Sequence, residues 1–141
     1  GTLALIITLA LKATALAEVD PLSAAKVVIA GFAGARAAAV LALASLSYAG
    51  GEAAKVSRTT SEMTGSEIAV TVVSALIIGF LCLSPLVFLA STLFAGVAAI
   101  IVALIAQQKI GGYTGDVLGA VEQVYETAFF IIAVAIIAAP G

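Results

Sequence analysis

The residues best suited to chemistry form one short polar run, Gly111-Gly112-Tyr113-Thr114-Gly115-Asp116, between two long apolar stretches. Three glycines, a hydroxyl and a carboxylate within six residues are costly to place beside lipid. Backbone amides in such a run can bind a phosphate, and an aspartate beside them can position a hydroxyl. We therefore expect the run to serve a function other than packing.

Further polar residues follow the run at helical spacing. If a helix begins at Asp116, a rotation of about 100° per residue places Asp116, Gly119, Glu122, Gln123 and Glu126 within roughly a third of its circumference. Asp116 and Glu126 would lie about 15 Å apart, too far to ligate one ion, whereas Glu122 and Glu126 are one turn apart. The spacing predicts a polar face that descends into the membrane and lines a substrate channel.

Each of these residues also has a structural explanation. Asp116 could cap a helix, and the glycines could form a turn that needs positive φ. Arg36 lies inside an apolar stretch, where a charge costs about 2.5 to 3.5 kcal/mol, so it should face a carboxylate, a polar cavity or a ligand phosphate. A structural ion pair and a ligand contact are equally compatible with Arg36. Lys12 is expected to extend to the membrane interface.

Composition places the chain in the membrane. Hydrophobic residues make up 63% and charged residues 10% of the 141 residues, and the mean hydropathy is +1.26, too apolar for one soluble core. A net charge of -2 without a basic stripe argues against nucleic-acid binding. Histidine is absent and Cys82 is the only cysteine, which excludes an internal disulfide and the usual zinc, haem and iron-sulfur ligand sets. A bound metal would need oxygen ligands.

The chain is predicted to be an all-α, polytopic transmembrane helix bundle that forms a single domain over residues 1–141. About five segments approach the roughly 20 residues that a spanning helix needs. We place them at Thr2 to Ala17, Ala24 to Ala49, Glu67 to Leu83, Leu86 to Ala106 and Ala120 to Ala139. In the second segment, small residues recur every three or four positions and predict a close helix-packing seam: Gly31, Ala35, Ala38, Ala42, Ser45 and Ala49.

The connections predict topology and orientation. Ser23 is a possible N-cap for the second helix, and Ser84-Pro85 predicts a close antiparallel hairpin, with a single broken helix as the alternative. Lys55, Arg58 and Lys109 fall on one side of the membrane and Lys26 on the other, so the first side, with the Gly111 to Asp116 run, should be cytoplasmic. Because the chain starts at Gly1 and not at Met, we expect it to be a piece of a longer protein.

The stretch Lys109 to Ala120, followed by Gln123, Glu126 and an apolar helix, resembles the C-terminal signature of the cobalamin synthases, the adenosylcobinamide-GDP ribazoletransferases. Gly34-Ala35-Arg36 and Ser47-Tyr48-Ala49 resemble the middle region of that family more loosely. The resemblance implies a magnesium-dependent transferase in the cytoplasmic (inner) membrane of a bacterium or archaeon. Its partners would be adenosylcobinamide-GDP and α-ribazole or α-ribazole 5′-phosphate, which it joins with release of GMP.

The resemblance also suggests roles for individual residues. Asp116 and Glu126 would be catalytic. Substrate-binding roles would fall to the residues that can contact phosphate or line the polar face: Gly111, Gly112, Thr114, Gly115, Gln123 and Arg36. The family's aspartate-rich metal motif lies in its N-terminal half and is absent from this sequence, so metal ligands are left unassigned and the chain alone is expected to be catalytically incomplete.

A function without catalysis is the alternative. A small helical membrane transporter could use Glu122 and Glu126 as a proton or cation relay. A scaffold subunit would use the polar run only to cap helices.

Overall fold

A computed structural model describes residues 2–46 and 63–140. These residues are largely helical, which confirms the all-α prediction. The helices in chain order are α1 (Thr2–Leu16), α2 (Pro21–Ser45), α3 (Gly65–Cys82), α4 (Pro85–Ile110) and α5 (Gly115–Ile137). Ser47 to Ala49, Lys55 and Arg58 lie outside the described residues.

Four of the described helices, α2 to α5, are long and apolar enough to cross a membrane. The remaining helix, α1, has 15 residues, fewer than the roughly 20 of a full span. Large apolar side chains cover the outer surface; Leu3 and Leu81, for example, are 71% and 80% exposed. Such a surface suits lipid and not water.

Asp20 caps α2 and sets where this helix begins. Its carboxylate accepts hydrogen bonds from the amides of Leu22 and Ser23, each at 3.0 Å. Pro21 can occupy the first helical position because the amide that it lacks would have no helical partner there. The helix therefore begins three residues before the predicted Ala24, and the prediction that Ser23 is the cap was wrong.

The chain reverses between α3 and α4 at Leu83 and Ser84. A methyl group added to Gly79 would clash with the ring of Phe88, and the rings of Phe80 and Phe88 lie 4.8 Å apart. Residues 79 and 88 would be about 13 Å apart along one continuous helix, so their contact shows that the chain turns back between them, as in a hairpin. Away from this turn the two helices touch little, because α3 packs on α2 and α4 packs on α5. The hairpin is therefore confirmed only near its turn.

Helix α5 lies at the centre of the bundle, with α1, α2 and α4 packed around it. The predicted seam on α2 provides one of these contacts at Gly31, which faces the ring of Phe130. Gly34, which was not part of the predicted seam, faces the ring of Tyr125. Ala35 and Ala42 are buried in the same core, whereas Ser45 is exposed and Ala49 lies outside the described residues. The seam thus holds the helix that bears most of the predicted site.

Candidate functional site

The polar run forms the connection between α4 and α5. Gly111 ends α4 with φ of 76°, a left-handed conformation that favours glycine. Thr114 is the N-cap of α5, and its hydroxyl accepts a hydrogen bond from the amide of Val117 at 3.4 Å. Asp116 is exposed in the first turn of the helix. The turn explanation is therefore confirmed for Gly111, whereas the cap is Thr114 and not Asp116.

Both helix boundaries at this loop differ from the prediction. Helix α4 continues to Ile110, beyond the predicted Ala106, and α5 begins at Gly115, five residues before the predicted Ala120. The hydropathy of the sequence falls where polar residues begin, but Thr114 can start a helix there by capping its free amides. As a result, Asp116, Gly119 and Glu122 all lie on α5.

Lys12, Gln123 and Glu126 form a buried polar cluster between α1 and α5. The Lys12 Nζ atom lies 2.5 Å from Glu126 Oε2 and 2.7 Å from Gln123 Oε1. The side chains of Lys12 and Glu126 are only 8% and 12% exposed. Lys12 Nζ also lies 5.9 Å from the centre of the Phe130 ring, close enough for a cation–π contact. The expectation that Lys12 extends to the interface was wrong, because the lysine points inward to a buried carboxylate.

Arg36 and Glu122 form a second ion pair, between α2 and α5. Arg36 Nη1 lies 2.9 Å from Glu122 Oε1, and the two side chains are 76% and 21% exposed. An ion pair was one of the two alternatives for Arg36, and the structure shows it with Glu122, one turn before Glu126 on α5. Much of the Arg36 side chain is exposed on the outer face of a spanning bundle, where lipid would be an unfavourable neighbour.

An open surface runs along α5 from its first turn to these two pairs. A methyl group added to Gly115 or Gly119 would meet no atom within 4 Å in the described structure. Glycine within a helix costs about 0.5 to 1 kcal/mol relative to alanine, and no described neighbour needs the space. We call the surface formed by Gly115, Asp116, Gly119, Glu122 and Gln123 the α5 polar face.

The structure thus joins most predicted site residues into one region and leaves some of them apart. Gln123, Glu126 and Arg36 meet at the two ion pairs, about two to three turns further along α5 than Asp116. Gly111 and the buried Gly112 lie in the preceding loop. Lys12 is the functional candidate that the sequence did not reveal. The available signal was that a buried carboxylate at Glu126 needs a cation from another helix.

The carboxylates of this region do not make a metal site by themselves. Glu122 and Glu126 each form an ion pair with a basic side chain, Arg36 and Lys12 respectively. In residues 2–46 and 63–140 no group of three or more His, Cys, Asp or Glu side chains could hold a metal ion. Asp116 is one turn or more from both glutamates. The donors in the described part of the chain therefore do not fit a magnesium ion.

An apolar cavity of about 610 Å³ lies on a different side of α5, between α2, α3, α4 and α5. Val121 and Tyr125 line it, whereas Glu122 and Glu126 do not. The cavity is therefore separate from the α5 polar face and lies on another side of the helix.

Comparisons with a family model and with a curated protein point to the same family. Residues 1–134 match the family model described as Cobalamin-5-phosphate synthase. An adenosylcobinamide-GDP ribazoletransferase from Chlorobaculum parvum is 33% identical over 135 residues, which cover 94% of this chain and 53% of that protein. The chain therefore spans about half the length of this relative. No solved structure matches it. The chain belongs to the cobalamin-5-phosphate synthase family.

Proposed function

We propose that this chain is the C-terminal part of an adenosylcobinamide-GDP ribazoletransferase of the cytoplasmic (inner) membrane. The enzyme would join adenosylcobinamide-GDP to α-ribazole or its 5′-phosphate and release GMP. Support comes from the family match and from the relative's name. The observation that argues most strongly for a ligand site is the α5 polar face, where open glycine positions lie beside charged side chains on a spanning helix.

The proposed chemistry is a phosphoryl transfer. An oxygen of the ribazole attacks the phosphorus that stays on the cobinamide, the bond from that phosphorus to the bridging oxygen breaks, and GMP leaves with the bridging oxygen. Such a reaction depends on positioned anions and on groups that balance their charge. If the attacking oxygen belongs to a hydroxyl, it must also lose its proton.

The start of α5 would bind the phosphates. The first amides of a helix have no partner within it, and their partial positive charge favours an anion. The Thr114 hydroxyl already accepts a hydrogen bond from the Val117 amide, so the amides of Gly115 and Asp116 would bind phosphate oxygens. Gly111 and Gly112 would set the path of the loop before them. The Arg36 side chain is largely exposed and would neutralise a second phosphate.

Asp116 is the proposed catalytic residue. It is exposed in the first turn of α5, at the start of the α5 polar face, and can orient the attacking hydroxyl and accept its proton. For Glu126 we propose a positioning role in place of the direct catalytic role predicted from sequence. Its carboxylate is buried and bound to Lys12, so the lysine ammonium group occupies the position from which a substrate would have to contact the carboxylate.

Magnesium dependence remains part of the proposal through the family resemblance. Bound magnesium would neutralise the charge that develops on the phosphate and leaving group. Because the described residues do not fit the ion, we propose that its ligands come from elsewhere in the protein, with Asp116 at most contacting its water shell.

A substitution of Asp116 tests the proposal. In the full-length protein, Asp116→Asn keeps the side-chain shape but removes the charge, and product formation should fall by about 10²- to 10⁴-fold, as for loss of a catalytic base. Glu18→Gln is the matched control, because Glu18 is an exposed carboxylate at the opposite end of the bundle. Unaltered product formation in Asp116→Asn would refute the catalytic role.

The family match does not favour the transporter or scaffold alternative. We propose that the α4–α5 loop faces the cytoplasm, where nucleotides are available, as the basic residues predict. Of those residues, Lys109 lies in the last turn of α4.

A further inference from the structure

We infer that Lys12 is a positioning residue of the proposed transferase site and acts by orienting the amide of Gln123 toward the substrate. The inference rests on the proposed function and adds a helix, α1, to the elements that build the site. Lys12 itself does not contact the substrate in this account.

The chemistry of the buried cluster fixes the direction of the Gln123 amide. A lysine ammonium group has only donors, so a side-chain amide beside it must offer its oxygen and not its nitrogen. The 2.7 Å contact between Lys12 Nζ and Gln123 Oε1 has this arrangement. Rotating the amide by half a turn would place two donors against each other. Lys12 therefore selects one of the two amide orientations.

The selected orientation leaves a donor available. Gln123 Nε2 makes no hydrogen bond within the described part of the chain, and Gln123 is half-buried on the face of α5 that includes Gly119 and Asp116. Side chains on a helix lean toward its N-terminus, so this amide leans toward the open position at Gly119. An NH₂ group in that place can donate to a phosphate oxygen or a ribose hydroxyl.

Lys12 is held firmly enough to serve this purpose. Glu126 Oε2 binds the same ammonium group at 2.5 Å, and the Phe130 ring lies beside it. The lysine side chain is 8% exposed, so bulk water competes little for its donors. Since α1 packs chiefly on α5, the cluster is also the main polar link between these helices.

The test measures binding and stability separately in the full-length protein. Dissociation constants for adenosylcobinamide-GDP and GMP would be measured by isothermal titration in detergent for wild type, Lys12→Met, Gln123→Leu and the double variant. We expect Lys12→Met and Gln123→Leu each to weaken binding about tenfold, the value of one hydrogen bond to a charged group. The double variant should bind no more weakly than Gln123→Leu, because both changes remove the same contact.

Two further variants separate positioning from folding. Lys26→Met removes an exposed lysine of α2 and should leave binding unchanged. If Lys12→Met does not fold, Lys12→Met/Glu126→Gln, which leaves no unpaired buried charge, is compared with wild type instead. In that comparison, loss of Lys12 should again weaken binding about tenfold.

The outcomes are distinct. If the fold-increases in dissociation constant caused by Lys12→Met and Gln123→Leu multiply in the double variant, the inference is overturned, since the residues then act independently. Equal binding by wild type and by every folded Lys12 variant would also overturn it and would leave the proposed function intact. If wild type binds neither adenosylcobinamide-GDP nor GMP, the proposed function itself fails.

Discussion

The buried pair of Lys12 and Glu126 should contribute much more to stability than the pair of Arg36 and Glu122. The perturbation is Lys12→Met, which keeps most of the apolar length of the side chain and removes the ammonium group. It leaves the Glu126 carboxylate without its basic partner, on a side chain that is only 12% exposed. The matched perturbation is Arg36→Met, which removes a cation from a side chain that is 76% exposed.

The exposed fractions of the two ion pairs determine the expected losses in the free energy of unfolding. Removing one member of a buried pair costs about 3 to 5 kcal/mol because the other charge stays buried. We propose that the Arg36 pair opens toward the cytoplasmic end of α5, where water reaches it. A pair exposed to water contributes about 0 to 1 kcal/mol because its charges are screened. Removing both charges of the buried pair, in Lys12→Met/Glu126→Gln, leaves no isolated ion and should recover most of the loss.

The assay is reversible unfolding of each variant in mixed micelles, with the free energies combined in a double-mutant cycle. We expect a loss of about 3 kcal/mol or more for Lys12→Met and about 1 kcal/mol or less for Arg36→Met. Equal losses for the two variants would refute the reasoning. So would a double variant that is as unstable as Lys12→Met alone, because the isolated charge would then not be the cause.

Two further predictions concern packing and pH. Gly34→Ala should destabilise the protein by about 1 to 3 kcal/mol in thermal unfolding, because the added methyl group would meet the Tyr125 ring and hydroxyl. Gly96→Ala, where the methyl group has open space, should be neutral or slightly stabilising, and an equal loss there would contradict the packing argument. The hydroxyl and amide of Ser23 hold the pKa of Asp20 below its ordinary 3.8, so its stabilising effect is complete above that value and is lost as the pH falls through the lower, folded-state pKa. Asp20→Asn should remove this part of the pH dependence of unfolding, and a variant with an unchanged pH profile would show that the cap is not its source.

Composition and hydropathy were enough to predict a helical membrane bundle, because the bilayer leaves few ways to satisfy backbone groups. They were less informative about where helices begin. Asp20 and Thr114 each cap a helix that starts several residues before its apolar stretch. A hydropathy pattern cannot detect such a start, because the first turn of a capped helix can be polar.

The candidate site was only partly predictable for a different reason. The polar face of α5 follows from spacing within one helix, and helical periodicity predicts it. Its partners Lys12 and Arg36 lie 114 and 86 residues from Glu126 and Glu122. Which cation meets which carboxylate depends on how α1 and α2 pack on α5. That packing depends on Gly31 and Gly34 facing Phe130 and Tyr125, which spacing within α2 alone does not reveal.

The central claim is that the α5 polar face binds substrate, and a change at Gly119 tests it most directly. In the full-length protein, Gly119→Leu places a side chain on this face where the described structure has open space. Ala120→Leu adds similar bulk at the neighbouring exposed position. We predict that Gly119→Leu loses most of its formation of the cobalamin product, with release of GMP, while its unfolding temperature stays at or above that of wild type and Ala120→Leu remains active. Full activity in Gly119→Leu, or a loss of activity that accompanies unfolding, would contradict the account.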